Sequence, residues 1–186
     1  MIGYAITGSF CTISKSLSIM KNLVDNGYEI LPIMSDNAYS LDTRFATAES
    51  VRDKIMKITG KDIIHTIVDA EPLGPKIHLD AMIISPCTGN TLSKIANGIT
   101  DTSVCMAAKA HLRNNKPLLI ALATNDALSA NLKNISSLLS KKNVYFTPMM
   151  QDDPTNKPHS LVANFDLVSQ SLEMALMGKQ ISKIFI

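Results

Sequence analysis

A chain of 186 residues, 46% of them hydrophobic, has the size of one globular domain and enough apolar side chains to bury a core. Eighteen basic against sixteen acidic residues leave a net charge of +2 with no basic cluster, which argues against a nucleic-acid-binding footprint. No run approaches the roughly 20 apolar residues of a membrane helix, and the N-terminus lacks the basic and long apolar regions of a secretory signal. A soluble, cytoplasmic protein without membrane contact is the expectation. Cys11, Cys87 and Cys105 match neither zinc-ligand spacing nor an even disulfide framework, so no metal is expected.

In chain order, the run Ile2 to Thr7 reads as a buried strand closed by the turn Thr7-Gly8-Ser9. Ile13, Leu17, Met20, Leu23 and Val24 recur at helical spacing, and Asn26-Gly27 supplies the stop. Tyr28 to Met34 then reads as a second strand, which completes a β–α–β unit. Thr47 to Met56 reads as a helix capped by Thr47 or Ser50, and Ala81 to Ser85 as a third buried strand. Helices are predicted at Thr91 to Ala96 and Ser103 to Arg113. The continuous apolar run Pro117 to Ala123 follows as a central parallel strand. A helix from about Ala130 to Ser140, a short strand at Asn143 to Phe146, a polar segment Gln151 to Pro158 and a last helix over Leu161 to Met177 close the chain. Strands alternating with helices predict an α/β fold, a three-layer parallel sheet with helices on both faces, as a single domain over residues 1–186 whose segment 151–186 is a loop plus final helix.

In such a sheet, ligands bind beyond the carboxyl ends of the strands. Four segments fall there: Thr7 to Phe10, Met34 to Asn37, Ser85 to Thr91, and Thr124 to Asp126. Their small, hydroxyl and amide side chains suit a phosphate held by turn amides and helix N-termini. Gly8-Ser9 also reads as a plain turn and Ser35 as a plain helix cap, but Thr88-Gly89-Asn90-Thr91 holds more donors than capping needs. The first strand is followed by no G-x-G-x-x-G, and no P-loop is present, so a dinucleotide or nucleoside triphosphate is disfavoured.

Ile6-Thr7-Gly8-Ser9 together with Ser85-Pro86-Cys87-Thr88-Gly89-Asn90-Thr91 and its continuation to Asp101 resembles the homo-oligomeric flavin-containing Cys decarboxylase family. That resemblance implies a flavodoxin-like fold, FMN as cofactor and a homo-oligomer built on trimers. By carry-over, Gly8, Ser9 and Phe10 match the first flavin turn, Ser35 the phosphate-binding serine, and Thr88, Gly89, Asn90 and Thr91 the second flavin loop. Asn125 matches the asparagine of the decarboxylases' substrate segment, with Leu122, Thr124 and Leu128 where they have Pro, Met and Met. The decarboxylases' histidine, eight residues before the position of Asp80, is Pro72 here, and His65 and His78 are out of register. The prenyltransferases' arginine is replaced by Thr124. Flavin binding is retained by this comparison, while decarboxylation and prenyl transfer lose a group each.

The blocks Ala70 to Pro75, Thr124 to Asp126, Tyr145 to Pro154 and Lys157 to Ala163 narrow the resemblance to one branch, the flavoprotein subunits of two-subunit synthases of sporulating bacteria. That branch implies a different companion subunit, a small dicarboxylate substrate, an FMN-dependent oxidation and the mother-cell cytoplasm. Asn125 and Asp126 are then candidate substrate contacts and Glu71 a candidate acid–base group. Lys109, His111 and Arg113 are candidate cations, although a solvated helix face is the preferred reading for all three. Two other readings stay open: a decarboxylase of a cysteine-derived substrate, and a non-catalytic partner of the companion subunit.

Overall fold

The computed structural model describes residues 1–186. The chain runs β1 (Ile2–Ile6), α1 (Ile13–Asp25), β2 (Ile30–Met34), α2 (Asp36–Ser40), α3 (Ala48–Thr59), α4 (Ile67–Ala70) and β3 (Ala81–Cys87). It continues with α5 (Gly89–Ala96), α6 (Ser103–Leu112), β4 (Leu118–Thr124), α7 (Leu132–Leu139), β5 (Val144–Phe146), β6 (Met149–Met150), β7 (Leu161–Ala163) and α8 (Val168–Leu176). No helix is long and apolar enough to cross a membrane.

The strands order as β2-β1-β3-β4-β7-β6, with β5 also on β4. All pairings among β2, β1, β3, β4 and β5 are parallel, giving the flavodoxin-like α/β fold. Strand alternation divides the core. Met82, Ile84, Leu118, Ile120 and Leu122 face α5, α6 and α7, while Tyr4, Ile83, Leu119 and Ala121 face α1, α3 and α8. Burial on both faces explains why β3 and β4 read as unbroken apolar runs.

The predicted boundaries hold closely for the first two strands and the helix between them, where Gly27 takes φ +87° beyond the end of α1. Thr47, rather than Ser50, caps α3 by accepting from the Ser50 amide at 3.2 Å. One expectation fails. The last helix starts at Val168, not near Leu161. Leu161, Phe165, Val168 and Leu172 keep helical spacing, which is why the segment reads as helix. The outer edge of β4, however, pairs with β5 only over Leu118–Ile120. Beyond that point its backbone groups need partners, and Leu161–Val162 supply them as an antiparallel strand against Thr124 and Ala123. The sheet is therefore mixed at this edge, with β6 added antiparallel to β7. Asn164 then accepts from the Asp166 amide at 3.1 Å and opens the short 3-10 turn that leads into α8.

Candidate functional site

The carboxyl ends of β1, β2, β3 and β4 lie side by side in the sheet, and the four predicted loops leave from them. Between β1 and β3 the joint is explicit. The Thr7 hydroxyl donates to the Pro86 carbonyl at 2.8 Å and accepts from the Thr88 amide at 2.9 Å, so one side chain ties the first turn to the third loop. The Ser35 amide donates to the Ile6 carbonyl at 3.0 Å, which fixes the second loop to the first strand. Ser103, at the start of α6, donates to the Met34 carbonyl at 2.6 Å.

The hydroxyl and amide side chains divide into those spent on the fold and those left over. Thr88 is the N-cap of α5: its hydroxyl accepts from the Thr91 amide at 3.3 Å and donates to the buried Thr91 hydroxyl at 3.0 Å. The Ser9 hydroxyl accepts from Thr12 at 3.0 Å. Ser35, at the head of α2, makes no side-chain capping bond and is half-buried. Asn90 and Asn125 are exposed, and neither side chain has a protein partner. Gly8 lies under the Phe10 ring, and beside this turn opens an apolar cavity of about 150 Å³ whose walls include Phe10, Ala38, Leu41 and Phe45. Leu41 and Phe45 are 49% and 52% exposed, so this end of the protomer is open. Four larger cavities, of about 360, 520, 530 and 720 Å³, are lined by no residue of the four loops.

Gly89 is where the third and fourth loops touch. A Cβ there would stand 2.6 Å from Asn131 Nδ2, 2.6 Å from Thr124 Oγ1 and 2.7 Å from Asp126 Oδ1, so the position requires glycine for close approach rather than for its torsion angles. Below the loop, burial pushes the Cys87 thiol far above its ordinary range and raises that of Cys105 as well. Both remain protonated thiols and act as apolar packing.

Of the candidate residues, Gly8, Ser9, Phe10, Ser35, Thr88, Gly89, Asn90, Thr91, Asn125 and Asp126 come to this one end of the sheet. Glu71 does not join them. It follows α4, is exposed, and is three residues from Gly74, which lies against Ala110 near the far end of α6. The same is true of the candidate cations. Lys109 and Arg113 occupy the last turns of α6, toward the amino ends of the strands. His111 is not on a solvated face at all: it is 1% exposed, and its Nε2 lies 2.9 Å from the Pro117 carbonyl oxygen. Helical periodicity could not reveal this, because α6 is buried nearly all round. His65 is half-buried and stacked on Tyr39 with ring centroids 3.8 Å apart, and His78 is exposed.

Sequence reasoning missed Thr7 as the tie between loops, and it missed Asn131 and Asn134, which are 4% and 5% exposed. Two asparagines three apart at the start of a helix, in line with its apolar Ile135 and Leu138, were the available signal. It also gave no role to the segment 151–160, which closes on itself through Ser160 to Asp152 at 2.7 Å and Lys157 to Asp152 at 3.1 Å. This segment is fastened to the fourth loop by the Leu128 amide donating to the His159 carbonyl at 2.9 Å.

Comparison with known proteins identifies the family and the fold. A family model described as Flavoprotein matches residues 1–172. The chain is 46% identical over 185 residues to the B subunit of dipicolinate synthase from Bacillus subtilis, covering 100% of this chain and 92% of that one. The crystal structure of the corresponding B subunit from Bacillus halodurans superposes with a TM-score of 0.92 at 43% identity, over 100% of this chain and 95% of that one. The FMN-dependent cysteine decarboxylase SpaF shares the fold at a TM-score of 0.70 and 20% identity, covering 95% of this chain and 94% of that one.

Proposed function

From the premise that the chain belongs to the Flavoprotein family, we propose that it binds FMN at the four loops and works with the companion A subunit of a dipicolinate synthase. Together they would convert a dihydrodipicolinate-level precursor to dipicolinate. The observation that carries the cofactor assignment is the set of donors left over after folding. Ser35 heads α2 with its hydroxyl free of any capping bond, and Asn90 and Asn125 are exposed without protein partners on the adjoining loops. These neutral donors, with the backbone amides of the Gly8 and Gly89 turns, suit a phosphate and a polar heteroaromatic ring without needing a cation. The residues present therefore fit FMN. Ser35 would hold the phosphate; Gly8, Ser9, Phe10 and the loop Thr88 to Thr91 would hold the rest.

Aromatising a dihydropyridine dicarboxylate removes two electrons and two protons, and FMN, when bound, supplies a two-electron acceptor. The chain's own part is binding and orientation. Asn125 offers its amide to the substrate from the end of β4, and the apolar wall of Phe10, Leu41 and Phe45 keeps water from one side. Neither Cys87 nor Cys105 is a nucleophile here, since both thiols are held protonated. With Pro72 where the decarboxylases carry histidine, decarboxylation of a cysteine-derived substrate lacks its acid–base group. The open face, with Leu41, Phe45, Asn90 and Asn125 exposed, supports a homo-oligomer in which a second copy covers the site.

The purified chain should take up FMN in equimolar amount. Mixed anaerobically with the companion subunit of the synthase and the dihydro precursor, its flavin absorbance should bleach. A colourless protein that cannot be reconstituted would overturn the flavin assignment. Flavin that stays oxidised while dipicolinate forms would leave this chain a non-catalytic partner. Light scattering showing a monomer would remove the shared site.

A further inference from the structure

Asp126 has the sequence position of a substrate contact, yet its carboxylate is occupied from within. The Thr124 hydroxyl donates to Oδ1 at 2.5 Å, and Asn131 Nδ2 donates to Oδ2 at 3.0 Å. Behind Asn131 the donations continue in one direction. Asn134 Nδ2 donates to Asn131 Oδ1 at 2.8 Å, and Asn97 Nδ2 donates to Asn134 Oδ1 at 3.3 Å. Asn97 is itself oriented, because its Nδ2 also donates to the Ser93 carbonyl at 2.8 Å. An amide can be reversed, but this chain of amides cannot. A carboxylate only accepts, which fixes one end, and the Ser93 carbonyl only accepts, which fixes the other.

We propose that Asp126 is a positioning residue whose carboxylate terminates this one-way relay from α5 through α7, clamping the fourth loop onto Gly89 and so holding Asn90 and Asn125 in mutual register. The clamp surrounds Gly89 with the atoms of Thr124, Asp126 and Asn131 that leave no room for a Cβ. With Asn131 and Asn134 buried, these two amides must keep their partners, while Asn97 forms the exposed outer end of the relay. The functional part of this inference rests on the flavin assignment above; the relay itself does not.

The decisive substitution is Asp126→Leu, which keeps the branched shape and removes both acceptors, so that the Thr124 hydroxyl and the buried Asn131 amide lose their partner together. Asp126→Asn is the control: its amide oxygen can still accept from Asn131 Nδ2 while its own Nδ2 donates to the Thr124 hydroxyl, which accepts as well as donates, so the relay keeps its bonds. Asn131→Leu breaks the relay one step behind the loop. The full chain is measured in two ways: thermal unfolding without ligand, and FMN titration by fluorescence quenching. Asp126→Leu and Asn131→Leu should each lower the melting temperature by about 3–6 °C and weaken FMN by about tenfold, with smaller losses in Asp126→Asn. Because both residues serve one relay, the double variant should be little worse than either single one, and effects that simply multiply overturn the relay. Asp126→Leu with unchanged melting and unchanged FMN affinity overturns it too. Weakened FMN in Asp126→Leu beside unchanged FMN affinity in Asn131→Leu would make Asp126 a direct ligand contact and overturn the positioning role. If the unsubstituted chain takes no FMN, the flavin assignment falls, and the melting comparison alone decides the relay.

Discussion

The two ends of the sheet are finished in opposite chemistry. At the amino ends, charges dominate: the N-terminal ammonium meets Asp80 at 2.6 Å, and Lys61 meets Glu29 at 2.7 Å. These exposed pairs sit in water and stabilise little. At the carboxyl ends, the loops are joined by Thr7, Ser35, Thr88, Thr124 and Asn131, with the Asp126 carboxylate bonded inside. Neutral donors hold their geometry without drawing in a counter-ion, so an anionic group can take the backbone amides that remain. Charge is placed where solvent pairs it, and dipoles where a ligand would.

The largest test of that contrast is Gly89→Ala. Its Cβ would meet three polar atoms at 2.6–2.7 Å, so the third and fourth loops must separate. Overpacking of this kind costs about 1–3 kcal/mol, and FMN binding, read by fluorescence titration, should be lost altogether. Next come two substitutions that separate the ligand's donors from the fold's. Ser35→Ala removes a hydroxyl that caps nothing, so melting should not change while FMN affinity drops by about tenfold, the worth of a hydrogen bond to a charged group. Thr88→Ala removes a working N-cap and should cost about 1 kcal/mol of stability by chemical denaturation, with a smaller effect on FMN. Equal effects of the two on melting would erase the distinction.

The smallest effect belongs to the amino end. Burial holds the His111 pKa below its ordinary 6.5, and nearby Lys116 adds to this, while the bond to the Pro117 carbonyl acts the other way. The unfolded chain therefore takes up a proton at a pH where the folded chain does not. His111 costs nothing above about pH 6.5 and subtracts stability as the pH falls below it. Denaturation midpoints measured on either side of that value, at about pH 7.5 and about pH 5.5, should differ. His111→Gln should reduce that difference without altering FMN affinity at neutral pH. An undiminished difference would move the acid sensitivity elsewhere.

Local chemistry made much of this legible in the sequence. The apolar runs of β1, β2, β3 and β4 are buried on both sheet faces and need no long-range information to be recognised. The glycine beyond α1 and the threonine caps of α3 and α5 are likewise local. Where the loops would emerge followed from strand order alone, because parallel strands deliver all their carboxyl ends to one edge. The family blocks added the flavin to that edge.

What tertiary structure alone decided concerns partners distant in sequence. Leu161–Ala163 keeps helical spacing with the residues after it, yet it is a strand because β4 has an unpaired edge beyond Ile120. His111 looks like one of three basic residues on a helix face, yet it is buried because Pro117 offers a carbonyl there. Asp126 stands beside Asn125 in the chain, but Asn131, Asn134 and Asn97 turn its carboxylate inward. Local propensity sees only what a residue can do. A hydrogen-bonding group buried by the fold must take whichever partner the packing brings within reach, and that partner is named only in three dimensions.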